Sequence, residues 1–281
     1  MEKLCDLHTH SLYSDGTCTP EQLIELAQEA GLSAIVLSDH NTVAGLPSFI
    51  EAAEGSGVEA VPGVEFSTEY QGKELHILGL FIQPESYPQV NALLQQFLQR
   101  KDQSNRELVE RLAKAGVVLD YDKIKKQSAG SINRAVIGAE MVELGYCESV
   151  KKAFSDWLSP KQGFYIPPLR PDAFETIGFI KSIGAVAVLA HPFLSLDEQE
   201  LEVFLQTAVP AGLDGMEVYY SLFSPEQTEK ACGIADSYGL LYSGGSDFHG
   251  KNKPDIVMGR GKGNLEIPLS WLEKLRTRRQ E

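Results

Sequence analysis

Ala34-Ile35-Val36-Leu37-Ser38-Asp39-His40 is an apolar run that ends abruptly in a carboxylate and an imidazole. Charged groups are expected after such a strand only where they reach a site. Working outward, Lys3–His8 reads as an earlier strand that runs into His8-Thr9-His10. A helix separates the two, with Thr19 as its N-cap and Pro20 at its first position, and ends at Gly31. A second helix from about Val43 to Glu54 leads into a third strand at Val58–Pro62. Glu74–Phe81 reads as a fourth, an apolar edge of the same sheet. Strands alternating with helices at this interval predict a parallel sheet.

The alternation stops from about Pro84 to Pro160, where only helices are predicted: Tyr87–Ala115, a short turn near Tyr121, Ile132–Leu144 and Ser149–Leu158. This divides the chain into a first barrel part (1–83), a helical insertion (84–160) and a second barrel part (161–281). Strands resume at Ala185–Ala190, Met216–Tyr220 and Leu240–Ser243, each after a helix, and Pro268–Arg279 is a final helix. About seven such units suggest a barrel, although periodicity alone does not decide against an open sheet. The polar residues favour the barrel. His8 and His10 follow the first strand, His40 the second, Glu65 the third, His191 the fifth, and Asp247 and His249 the last. Barrel enzymes build their sites at the carboxyl ends of strands. His76 lies early in its strand and must project inward from the wall.

With 281 residues, 43% of them hydrophobic, the chain can bury one large α/β core, or one plus a smaller module. Its net charge of −14, from 25 basic and 39 acidic residues, argues against long nucleic acid held by many phosphate contacts. A small phosphorylated ligand remains compatible, because bound metals supply local positive charge. No apolar run approaches the roughly 18 residues of a membrane span. Met1-Glu2-Lys3 leads into a strand rather than a secretory signal. Cys5, Cys18, Cys147 and Cys232 show no paired spacing and read as reduced thiols of a cytosolic protein; only Cys5 adjoins the candidate site.

All six histidines stand where a metal would want them, among Asp15, Asp39, Glu65 and Asp247. Imidazole with carboxylate suits zinc, iron or manganese, so the residues point to a multinuclear metal hydrolase. Strand alternation places Asp6, His8 and His10 on one face, with Asp6 beneath as a partner of the imidazoles. Asp15, in Ser14-Asp15-Gly16-Thr17, alone reads as a turn residue; beside His8 and His10 it gains weight as a ligand. Glu65 has two oxygens and can bridge two ions. Asp247 and His249, if extended, share one face. Paired ions roughly 3.5–4 Å apart activate a bridging hydroxide and clamp the attacking and leaving oxygens, so no protein nucleophile is required.

Six stretches carry a resemblance to a known family: DLHTHSLYSDGT from Asp6, LSDHNTVAGL from Leu37, VPGVEFS from Val61, LHILGL from Leu75, VAVLAHP from Val186 and GGSDFHG from Gly244. Together they resemble the PHP (polymerase and histidinol phosphatase) family of metal-dependent phosphoesterases over most of the chain. The resemblance implies a distorted seven-stranded, TIM-like (β/α) barrel. The nearest likeness is to a subfamily with an all-helical insertion that hydrolyses nucleoside 3′,5′-bisphosphates and trims short oligonucleotides from the 5′ end. Relatives acting on histidinol phosphate usually carry His at the position of Asp15, which favours the nucleotide branch.

Position by position, the resemblance implies three divalent ions. His8, His10, Glu65 and Asp247 would hold the first; Glu65, His76 and His191 the second; Asp15, His40 and His249 the third. Asp15, His40, Glu65, Asp247 and His249 would carry catalysis. Arg134, in Ser131-Ile132-Asn133-Arg134, and Arg170, in Pro167-Pro168-Leu169-Arg170, resemble phosphate-contacting positions, with Lys161 and Tyr165 as weaker candidates. One departure is plain: a run usually like R-P-H-I-A reads Arg134-Ala135-Val136-Ile137-Gly138 here, leaving the ligand set intact without that histidine. Two other readings stand beside this one. The chain could act on another small phosphomonoester such as histidinol phosphate, or bind metal as a regulatory domain without turnover.

Overall fold

The computed structural model describes residues 3–128 and 132–279. Met1, Glu2 and Ser131, which entered the reading above, lie outside the described residues. The chain opens as β1 (Leu4–Thr9), α1 (Pro20–Glu29), β2 (Ala34–Leu37), α2 (Leu46–Ala53), β3 (Glu59–Tyr70) and β4 (Lys73–Leu80). Thr19 caps α1 as expected: its side chain accepts from the Gln22 amide while Gln22 returns a bond to the Thr19 amide. Four helices follow, α3 (Tyr87–Lys114), α4 (Tyr121–Gln127), α5 (Arg134–Glu143) and α6 (Val150–Ala153). The second half runs α7 (Ala173–Ser182), β5 (Val186–Leu189), α8 (Glu198–Ala208), β6 (Gly215–Tyr220), α9 (Pro225–Tyr238), β7 (Leu241–Gly245), β8 (Ile267–Pro268) and α10 (Leu269–Arg278). No helix among the described residues is long and apolar enough to cross a membrane.

The sheet order is β7-β6-β5-β4-β3-β2-β1-β8, and the residues after β7 return to β1 through a Thr9–Phe248 bridge, which nearly closes the barrel. Two expectations need correction. β4 is not an edge: it lies between β3 and β5 and runs antiparallel to both. The cause is local. Gln71 and Gly72 both take positive φ, 50° and 77°, and make a two-residue hairpin between Tyr70 and Lys73. β3 also runs on to Tyr70, so Glu65 is inside the strand rather than after it.

The reversal of β4 explains His76. An antiparallel strand begins where its neighbours end, so an early residue of β4 lies at the carboxyl end of β3. His76 pairs with Ser67, two residues beyond Glu65.

One apolar cluster joins Cys5, Leu7, Val36, Val61, Leu78 and Val188, drawn from five strands, and α10 adds Leu272 and Leu275 to it. A larger cluster packs the surrounding helices onto the other strand faces, including Leu23, Phe49, Ile177 and Phe204. The helices of residues 84–160 share a third cluster centred on Leu108, Leu112, Ile137 and Met141. α3 belongs to two of them, since Val90 and Leu94 near its start pack with the barrel helices.

Candidate metal centre and substrate cavity

All nine expected ligands converge at the carboxyl end of the barrel. His8 Nε2 lies 3.0 Å from His10 Nε2 and 3.1 Å from Glu65 Oε2, and His10 Nε2 is 3.1 Å from that same oxygen. Asp247 Oδ1 closes this group at 3.2 Å from His10 Nε2. The other Glu65 oxygen, Oε1, faces His76 Nδ1 at 2.7 Å and His191 Nε2 at 3.0 Å. Glu65 therefore presents one oxygen to each of two groups. Asp15 meets His249 Nε2 at 3.1 Å and lies 3.9 Å from His40 Nε2.

The donor set fits cations. Glu65 and Glu217 are wholly buried and Asp247 nearly so, and three carboxylates out of water require neutralising partners. The Nδ1 atoms of His40 and His76 are buried without a hydrogen bond, although Glu65 oxygens lie 3.2 and 2.7 Å away. His40, Glu65 and His76 each have a ligand atom within 4.8 Å of the others, close enough to share an ion. Four groups of three or four of these side chains, one of them including Glu217, have ligand atoms close enough to share an ion.

The electrostatics agree. Burial alone would raise the Glu65 carboxyl, but His40, His76, His8 and His10 hold it well below the usual carboxylate range. Burial also opposes charge on His10 and His76; the carboxylates of Asp247 and Glu65 beside the first, and of Glu65 and Glu74 beside the second, lift them to about 9 and about 10. His40 goes the other way, down to about 3, because burial outweighs its carboxylate neighbours.

Asp6 is not where the alternation put it. The pairing of β1 with β2 slips between Asp6 and Thr9, a bulge that breaks the two-residue period. The Asp6 carboxylate instead accepts from Ser246 N, Ser246 Oγ and Gly259 N, tying β1 to the loop after β7. The partner of His8 is Glu217 on β6, whose Oε1 is 3.0 Å from His8 Nδ1 and whose Oε2 accepts from the His191 amide at 2.7 Å. A lone carboxylate between Met216 and Val218 of an apolar strand was the signal that could have found it.

Asp39 binds Ser11 N, Ser11 Oγ and Ser14 Oγ, and so shapes the loop that presents Asp15. Cys5 stays in the apolar cluster, with its thiol on the Ile267 and Pro268 carbonyls, away from the ligands.

Nor is Asp247 extended. It has a φ of 56°, and His191 a φ of 28°, both unusual for side-chain-bearing residues. The two side chains of that turn stay close, with Asp247 Oδ1 3.4 Å from His249 Nδ1, while Asp247 Oδ1 also reaches His10 and His249 Nε2 reaches Asp15. Tyr220 Oη donates to Asp247 Oδ2 at 2.7 Å, and Lys253 Nζ stands 2.5 Å from the same oxygen.

The ligands most open to solvent, His40, His76 and Asp15, face a cavity of about 100 Å³. Both expected arginines line it. Arg134 begins α5, sits 4.3 Å over the Tyr165 ring and 5.3 Å over Phe154, and donates to the Leu158 carbonyl. Arg170 donates to Glu74 Oε2 at 2.7 Å. Tyr165 borders the cavity and Lys161 does not. Glu74 and Lys101 also line it, and neither was singled out from sequence.

A barrel with imidazoles and carboxylates gathered at its strand ends defines a metal-dependent hydrolase. The model of the PHP domain matches residues 6–166. A 5′-3′ exoribonuclease of Haemophilus influenzae is 31% identical over 250 residues, covering 89% of this chain and 91% of that one. A 3′,5′-nucleoside bisphosphate phosphatase of Chromobacterium violaceum is 29% identical over 247 residues, covering 87% and 86%. The crystal structure assigned to a metal-dependent phosphoesterase of Bifidobacterium adolescentis superposes with a TM-score of 0.87 at 30% identity, over 98% of this chain and 96% of that one. The chain belongs to the PHP family and is a metal-dependent phosphoesterase, a hydrolase of phosphoester bonds.

Proposed function

We propose that the enzyme removes the 3′-phosphate of nucleoside 3′,5′-bisphosphates and trims short oligonucleotides from the 5′ end. One observation carries this reading: Arg134 and Arg170 share a single cavity with Asp15, His40 and His76. The names of the two curated relatives, a bisphosphate phosphatase and an exoribonuclease, fit the same substrate class.

Three divalent ions, manganese, iron or zinc, fit the donors: one on His8, His10, Glu65 and Asp247, one on Glu65, His76 and His191, one on Asp15, His40 and His249. Bound there, they supply Lewis-acid charge and activate water. The chain's own residues do the rest. Glu65 fixes the spacing of two groups by offering an oxygen to each. The Arg134 guanidinium, stacked on Tyr165, presents a planar fork suited to phosphate oxygens. The helices of residues 84–160 act as a lid that admits only short substrates and keeps bulk water from the reacting group. Four free thiols agree with a cytosolic setting.

The test is phosphate release from adenosine 3′,5′-bisphosphate with and without manganese, beside histidinol phosphate as competitor substrate. Manganese-stimulated release from the bisphosphate alone is expected. Asp15→Ala and His249→Ala should lose turnover by more than the roughly 10–100-fold typical of outer-shell changes, while circular dichroism stays native. Preferred release from histidinol phosphate overturns the substrate assignment.

A further inference from the structure

Asp247 has room to turn away from the cage. A second cavity, of about 320 Å³, lies on its other side, bordered by Tyr220, Ser246, Lys253 and Ile256 as well as by Asp247 itself. None of the other eight candidate ligands borders it. A carboxylate with open space beside it is held by its hydrogen bonds rather than by packing. The two oxygens of Asp247 are divided between the two sides. Oδ1 faces the cage, 3.2 Å from His10 Nε2 and 3.6 Å from His8 Nε2. Oδ2 accepts from Tyr220 Oη at 2.7 Å and from Lys253 Nζ at 2.5 Å.

Lys253 is brought to that oxygen by a clasp between two loops. Lys253 N donates to Gly250 O at 3.1 Å, which closes a short turn after His249. The turn is tied to the loop that carries Asp15: Lys251 N donates to Thr17 Oγ1 at 2.9 Å, and Asn252 Nδ2 donates to the Asp15 carbonyl at 2.7 Å. Consecutive residues, Asn252 and Lys253, thus reach ligand-bearing residues of two different ion groups, Asp15 of the third and Asp247 of the first. Neither lines the cavity that holds Arg134 and Arg170. An ammonium on one carboxylate oxygen has two opposed effects on an ion at the other. Its charge competes with the ion, whereas its hydrogen bond fixes the carboxylate in place. The Lys253 side chain is 37% exposed, so solvent screens its charge. Loss of an orienting partner typically costs about 10–100-fold in metal affinity. Positioning is the larger effect.

We propose that Lys253 is a positioning residue that keeps Asp247 turned toward the cage as a one-oxygen ligand, and that Asn252 sets Lys253 in place by tying its turn to the Asp15 loop. The inference rests on the proposed ligand set, in which Asp247 belongs to the first ion group.

The experiment is a calorimetric titration of manganese into the chelator-treated full chain: wild type, Lys253→Met, Lys253→Arg, Asn252→Ala and Asp247→Asn, each checked for native circular dichroism. Lys253→Met is expected to weaken one class of sites about 10–100-fold, and Lys253→Arg, which keeps a cationic donor, to regain most of the loss. Added to Asp247→Asn, Lys253→Met should cost nothing further, because the lysine acts through that carboxylate. Unchanged binding in Lys253→Met overturns the proposal, and so does tighter binding, the sign of a lysine that only competes with the ion. A further loss in the Asp247→Asn background overturns it too. Asn252→Ala should show a smaller loss in the same class of sites; wild-type binding there overturns the role given to Asn252. If Asp247→Asn binds manganese as the wild type does, the ligand set fails and takes this inference with it. If Asp247→Asn loses an ion while Lys253→Met does not, the ligand set stands and the inference alone falls.

Discussion

His8 has two ring nitrogens, and the partner of one decides where the other points. Glu217 holds Nδ1, so Nε2 turns to Glu65 and His10. Glu217→Ala releases that ring and should weaken manganese binding by about 10–100-fold, measured by calorimetric titration of the metal-free protein; Glu217→Gln, which keeps a polar contact, should fall between. Unchanged affinity in the alanine variant would show that Glu217 does not orient His8. The nine ligand candidates were legible because imidazoles and carboxylates at strand ends have few bland explanations. Glu217 was not, because its importance comes from a histidine 209 residues away across the barrel. Lys101 was not either, since a lysine on a helix is ordinarily a solvated charge and only the packing of α3 turns it onto a cavity.

Strand direction and close approach operate at the scale of elements. The apolar run of β4 was readable, but its reversal came from a two-residue turn whose left-handed backbone the residue pattern did not announce. Once β4 is reversed, His76 needs no special explanation. The end of β7 shows the same dependence on contact: a Cβ on Gly245 would stand 2.2 Å from the Cβ of His8. Gly245→Ala must push the two strands apart, so we expect a loss of roughly 1–3 kcal/mol in urea unfolding together with weaker metal retention. Thr19→Ala, which removes the cap of α1 far from the ligands, should lose about 1 kcal/mol and keep its metals. Equal metal retention in both variants would mean that the approach of β7 to β1 does not shape the cage.

Protons and metal ions compete for the same cage in the whole molecule. In metal-free protein, His10 and His76 are raised to about 9 and about 10, above the ordinary 6.5 of an unfolded chain. The stability this contributes is complete below about pH 6.5 and is lost as pH climbs through 9 and 10. Metal ions must displace those protons, so their affinity rises over the same range. The gain in melting temperature on adding manganese to chelator-treated protein should therefore grow from pH 6.5 to 9, as read by scanning calorimetry; a gain that shrinks with pH would contradict the protonated cage. The sequence by itself determined the strand and helix alternation, the helical stretch and the ligand types, because these follow from local hydrophobic period and from chemistry that each residue carries alone. Only the tertiary structure decided the antiparallel β4, the transfer of Asp6 from imidazole partner to loop anchor, and the recruitment of Glu217 and Lys101, because each depends on which distant backbone comes within hydrogen-bond or Coulomb reach, and no local pattern records that distance.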